Sequence, residues 1–253
     1  MKLSAYLYFL FAGKQSHVTL SAPYLKNGCA VSLSTGQRAA LLLGLIHGEA
    51  KGTYSDSLQT GLTPAELREC LDVNPLNWQI EGTQSAHGVL DFLLDEGERT
   101  AYEVLRPLLL TLSGKQALER YIKENFCFTE LALYYAGNLS DNVGILQESN
   151  VFSVTATDLQ KGILAWDMAM VVFIARLSFD AGYLTEHEAW GYIEAAYHRC
   201  KTKYSSWREV AISYLIGEAM HTDNPQTFFC ITQKACAALT DPGSPWQEIP
   251  LNL

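Results

Sequence analysis

GILAWDMAMVVFIARLSFDAGYLTEHEAWGYIEAAYHRCKTKYSSWREVAISYLIGEAM, residues Gly162 to Met220, reads as three helices joined by two short turns. From Ile163 to Phe179 almost every residue is apolar, and the interruptions are Asp167, Arg176 and Ser178. A helix that is apolar around its whole circumference belongs inside a bundle. The run is too short and too interrupted for a membrane span, which needs roughly 20 mostly apolar residues. Val171, Val172 and Ile174 are β-branched and admit a buried strand, but the length of the run and its Asp158–Met168 lead-in decide for helix. The expectation is an all-α protein: an irregular multi-helix bundle of about eight to ten helices, with a central buried helix near 158–181.

Asp167 follows Trp166 inside this apolar helix. A carboxylate there must find a partner or take up a proton, because an unpaired buried charge is very costly. Arg176 lies nine residues on, and at about 100° per residue it points to the opposite side. It is expected to pair with Asp180 at i,i+4 and help close the helix end. Arg199 and Arg208 are then the candidate partners of Asp167. The plain reading of Asp167 is a structural ion pair that fixes helix register; the sharper one makes it a general base or ligand in a cleft, the weak catalytic candidate of this chain.

The first helix ends at Asp180-Ala-Gly182-Tyr183, where Gly182 suits a left-handed position. Thr185 and Glu188 form a capping box that opens the next helix, whose apolar stripe is Ala189, Ile193, Ala196 and Tyr197, with Trp190 beside it. His187, Glu194 and His198 share a second face. The two histidines stand ~16 Å apart along the axis and cannot share a metal ion, so this reads as a solvated face. Ser206 and Glu209 form another box, with Trp207 at the first helical position and Ile212, Leu215, Ile216 and Ala219 as the buried stripe. Gly217 allows another helix to approach closely. Trp166, Trp190 and Trp207 close one core, or line a pocket.

The chain has 253 residues with a formal charge of −9, 48% hydrophobic and 18% charged residues. That length supports a substantial core, and the composition is that of a soluble globular protein. The acidic balance argues against binding a phosphate backbone, and suits a cytoplasmic protein or one with a basic partner. Six scattered cysteines, Cys29, Cys70, Cys127, Cys200, Cys230 and Cys236, lack metal spacing and disulfide-scaffold density, and read as reduced, mostly buried thiols. Leu3–Ala12 (LSAYLYFLFA) has the look of a short secretion-signal core, but its tyrosines and phenylalanines and the lack of a nearby A-x-A site favour a buried first helix.

Along the rest of the chain, Lys14–Gly28 reads as loop. Ser34 and Gln37 cap a helix through about Glu49, and His47-Gly48-Glu49 lacks the further ligand that a metal site needs. Gly52–Gly61 is turn-rich and reads as a mobile loop over a cleft. Thr63-Pro64-Ala65-Glu66 is the strongest helix start, with its helix ending by Asp72 before Asn74-Pro75. Helices are expected over Gln84–Glu96, Glu98–Leu112 with Pro107 kinking it, and Lys115 to about Ala136. Periodicity fades from Gly137 to Thr157, which reads as a long loop or linker. Thr157–Gln160 caps the central helix, and Asn224-Pro225 opens a last helix through about Leu239. The chain thus reads as one helical domain over 1–253, or as lobes 1–136 and 158–240 joined by 137–157.

No nucleotide-binding glycine loop, HExxH, GxSxG or EF-hand motif is present. No cofactor or metal is therefore called for. Ala165-Trp166-Asp167, Asp180-Ala-Gly182-Tyr183-Leu184, Glu188-Ala-Trp190 and Ser206-Trp207 together resemble a bacterial family known as domain of unknown function 1266. Weaker echoes are Trp78-Gln79-Ile80, Leu90–Leu94 and Glu96-Gly97. The resemblance is firm over roughly 60 residues and extends from about Leu58. It implies a shared fold and a bacterial source, and carries over no catalytic residue. With Arg176, these motif residues form the expected structural or functional core. The leading functional expectation is an adaptor or protein-binding module of the bacterial cytoplasm, of which an immunity-type inhibitor of a basic partner is one form. The competing expectation is an enzyme with a site around Asp167. A cleft at Asp167 would favour the enzyme; a dry, arginine-paired Asp167 would favour the binding module.

Overall fold

The computed structural model describes residues 24–29, 32–72, 78–112 and 114–252. The readings of Leu3–Ala12 as a helix and of Asn74-Pro75 as a helix stop fall outside these residues, as does most of the 14–28 loop. Every element among the described residues is helical: α1 (Thr35–Leu41), a 3-10 turn (Leu42–Gly44), α2 (Leu45–Lys51), α3 (Pro64–Asp72), α4 (Thr83–Asp95), α5 (Arg99–Thr111), α6 (Lys115–Asn125), α7 (Thr129–Glu148), α8 (Ala156–Gln160), α9 (Leu164–Asp180), α10 (Glu186–Lys203), α11 (Trp207–His221), α12 (Pro225–Thr240) and α13 (Pro245–Glu248). The fold is all-α, as the sequence predicts. None of these helices is long and apolar enough to cross a membrane.

The central helix is α9. From Ala165 to Ser178 every residue is buried, so a sequence with no polar face becomes a helix with no solvent face. It packs against α2 with the 3-10 turn, α3, α4, α10 and α11. Its start is later than expected. Thr155, not Thr157, makes a reciprocal capping box with Asp158, and that box opens the short α8. Gly162 at φ 77° then turns the chain before α9 begins.

A second helix is equally enclosed. From Val210 to His221 α11 is buried on all sides, where its sequence suggested only a stripe. The crossing with α9 depends on Gly217: a Cβ there would lie 2.4 Å from Trp166 Cβ, which leaves room for glycine alone. One cluster of buried apolar residues runs from Tyr24 to Leu251.

Three expectations about the elements need correction. Lys115–Ala136 is not one helix, since the chain turns at Phe126–Phe128 between α6 and α7. The 137–157 stretch is not a linker in its first half, because α7 continues to Glu148. Its apolar period is masked by Asn138 and Asn142, which are buried and donate to the carbonyls of Met220, Ala219 and Thr222 at the end of α11. Buried asparagines satisfy orphan carbonyls there, where a periodicity scan looks for leucines. The cysteines are also not mostly buried. Cys29, Cys127 and Cys230 are exposed and only Cys200 is enclosed: Cys29 and Cys127 sit in loops, and Cys230 lies on α12 at the edge of a cavity.

Candidate functional site

Asp167 is fully buried and has no cleft around it. Its Oδ1 accepts from the Glu98 N–H at 2.9 Å. Its Oδ2 accepts from the Arg99 N–H at 3.3 Å and from Arg99 Nη1 at 2.8 Å. The first N–H groups of α5 have no cap from their own side chains, and Asp167 supplies that cap from another helix. Arg99 also donates to the Leu93 and Leu94 carbonyls at the end of α4. Burial pushes the Asp167 carboxyl up to about 7, against the pull of Arg99 and the two backbone donors. All its contacts are donors, so this geometry holds a carboxylate. The partner is thus neither Arg199, which reaches Leu94 and Asp95, nor Arg208, which reaches Phe152.

Arg176 and Asp180 do not close on each other. Arg176 donates to the carbonyls of Leu58, Tyr54 and Gln59 at 3.2, 2.7 and 2.9 Å. Asp180 accepts from the N–H and hydroxyl of Thr60 at 2.8 and 2.5 Å. Two residues one turn apart therefore grip the same loop, and the expected mobile segment 52–61 is clamped onto α9. Buried desolvation lowers the Arg176 guanidinium to about 10, with Asp180 and Asp56 opposing.

The remaining motif residues hold helix ends and corners. Gly182 has φ 74°, and Tyr183 N–H returns to the Ser178 carbonyl. Thr185 and Glu188 make their box, and Glu188 Oε1 lies 3.5 Å from His87 Nε2. His187, Glu194 and His198 are exposed. Trp190 is buried in the core. Ser206 caps α11, but the box is not returned, because Glu209 turns to Ser205 and Lys161. Trp207 stacks on Trp246 with ring centres 4.8 Å apart and donates to the Ile249 carbonyl. The tryptophans thus divide: Trp190 and Trp207 are core, and Trp166 lines a pocket.

That pocket is a cavity of about 520 Å³ beside α9, walled also by α2, the end of α11 and the first turns of α12. Met170, Phe173 and Ile231 give it an apolar surface. A size of roughly 300–1,000 Å³ with apolar walls and a few polar groups is the usual form of a small-molecule site. Glu218 is its buried acid. Trp166 Nε1 donates to Glu218 Oε2 at 3.0 Å, the Tyr214 hydroxyl donates to the same oxygen at 3.3 Å, and Thr222 Oγ1 donates to Oε1 at 2.9 Å. Tyr214 also lies 3.1 Å from His47 Nδ1. With its own proton given to Glu218, Tyr214 accepts there, so His47 carries its proton on Nδ1 and leaves Nε2 as an acceptor.

His221 differs from these groups. It is 4% exposed and stacks on Trp166 at 4.1 Å between ring centres. Neither ring nitrogen has a partner among the described residues. Desolvation lowers its imidazole to about 3, so at neutral pH it offers one donor and one acceptor, both unused. An unpaired buried polar group costs about 1–3 kcal/mol, and native proteins rarely carry one without a reason.

Sequence reading missed Tyr214, Glu218 and His221, and weighed His47 only as a lone metal ligand. The available signal was Glu218 and His221 at i,i+3 within an otherwise apolar helix, the same anomaly that drew attention to Asp167. Among the described residues, no group of three or more His, Cys, Asp or Glu is placed to hold a metal ion. The family model described as "Protein of unknown function (DUF1266)" matches residues 76–251, well over half of the chain. No curated protein and no solved structure matches the chain.

Proposed function

We propose that this chain, which belongs to the DUF1266 family, is a binding protein that takes a small, largely apolar organic molecule in the cavity beside α9. The observation that supports the reading is His221: a neutral imidazole on the cavity wall with both nitrogens unpartnered among the described residues. A ligand hydroxyl or carbonyl would complete its hydrogen bonding, and its apolar body would cover Met170 and Phe173. Asp167 supports no enzyme reading, because its hydrogen-bonding capacity is spent on α5. Glu218 is likewise taken up by three donors. A bacterial cytoplasmic setting is part of this proposal, and the acidic composition supports it.

Docking of a protein partner, in adaptor or immunity form, draws support from two observations. The chain is acidic, and Phe128 and Leu131 at the start of α7 are 83% and 53% exposed. Neither feature describes a site as the cavity does.

Naphthol is a suitable probe, a flat apolar body with one hydroxyl. Calorimetric titration is expected to give saturable one-to-one binding, with Kd below about 1 mM. Ala50→Trp places an indole in the cavity and is expected to weaken binding at least about tenfold, with little change in melting temperature. Equal binding by both proteins, or by neither, overturns the reading.

A further inference from the structure

Two cations on the wall of this cavity make no salt bridge among the described residues. Lys51 ends α2 and Lys234 lies within α12, and both line the cavity. The salt bridges among the described residues engage Lys115, Lys161, Arg38, Arg99, Arg106 and Arg199, but neither of these lysines. In a chain with 27 acidic and 18 basic residues, a cavity that sets two lysines beside one fully engaged acid and one exposed acid departs from the charge balance of the whole chain. The dipole at the end of α2 gives Lys51 an ordinary role, but Lys234 is mid-helix and has none. Lys234 feels the charge of Glu49 without making a salt bridge to it.

The acids at the same cavity do not cancel this. Glu218 has both oxygens occupied by donors, and Asp223 is exposed in the turn between α11 and α12. Lys234 is partly buried, so its stem covers apolar wall while its ammonium stays wet. On the reading that the cavity is a ligand site, we propose that its ligand is an organic carboxylate: an apolar, ring-containing body whose carboxylate is held by Lys51 and Lys234, with a second polar group that meets His221. Aromatic walls at Trp166 and Phe173 favour a flat body.

Three matched probes separate the two claims: naphthol, hydroxynaphthoate and aminomethylnaphthol, which share a skeleton and differ in charge. Calorimetry is expected to show hydroxynaphthoate binding at least about tenfold more tightly than naphthol, and aminomethylnaphthol no better than naphthol. The carboxylate advantage should vanish in Lys51→Met/Lys234→Met while naphthol affinity stays. The net charge of −9 works against any anion, so non-specific attraction cannot produce this order. Naphthol binding without a carboxylate advantage, or with the ammonium preferred, overturns the anion inference and leaves the cavity reading intact. Loss of all three overturns both.

Discussion

Asp167→Ala lowers the stability of the protein by about 3–5 kcal/mol in urea denaturation, the usual cost of removing one partner from a buried ion pair. Arg99 would be left among carbonyls that it already serves, with its charge uncompensated, and the Glu98 and Arg99 N–H groups would lose their cap. Space adds to the effect. Gly97 at φ 64° brings the chain so close that a Cβ there would lie 2.3 Å from Asp167 Oδ2, so this turn is built around the carboxylate. Asp167→Asn keeps an acceptor for one N–H but turns an amide donor toward other donors, and its loss should be intermediate. Stability unchanged within about 0.5 kcal/mol in Asp167→Ala, the range of ordinary surface substitutions, would contradict this account of the residue.

Arg176→Met is the second large effect, roughly 3–5 kcal/mol, because three buried or partly buried loop carbonyls lose their donor together. Lysine should not rescue it. One ammonium cannot copy the planar fork that reaches Leu58, Tyr54 and Gln59 at once. The distinguishing readout is hydrogen exchange. The Tyr54 N–H, bonded to the Thr60 carbonyl, and the Thr60 N–H, bonded to Asp180, should lose protection before the helices do. Uniform loss of protection across the molecule would mean that Arg176 merely supports global packing.

The central helix was legible because its signal was composition: no polar face means no solvent face. The caps at Ser34, Thr63, Thr185 and Ser206 were legible because a capping residue acts on its own chain within three or four positions. The partners of Asp167 and Arg176 were not. Each side chain reaches across tens of residues to a turn, and no local rule says which turn will fold against a given helix. Residues 137–148 were misread for a related reason, since Asn138 and Asn142 face inward to serve another helix's carbonyls. The cavity was hidden because its wall residues come from α2, α3, α7, α9, α11, α12 and the 78–80 segment. Of its polar groups the sequence had singled out Trp166 as a candidate pocket wall, Trp78 as a motif residue and His47 as a lone metal ligand.

The most direct test of the central claim is calorimetric titration of naphthol into wild type and His221→Phe, with both melting curves. If His221 is kept for a ligand, phenylalanine preserves the stack on Trp166 and removes two unsatisfied nitrogens. Binding should weaken about tenfold while thermal stability holds or rises. The acid side carries the same sign. The folded imidazole titrates at about 3, below its ordinary 6.5, so between these values the unfolded chain binds a proton that the folded one refuses. Wild type should therefore lose more stability than His221→Phe as pH falls from about 6.5 to about 3. Unchanged naphthol affinity together with a lower melting temperature in His221→Phe would contradict the claim and make His221 a packing residue.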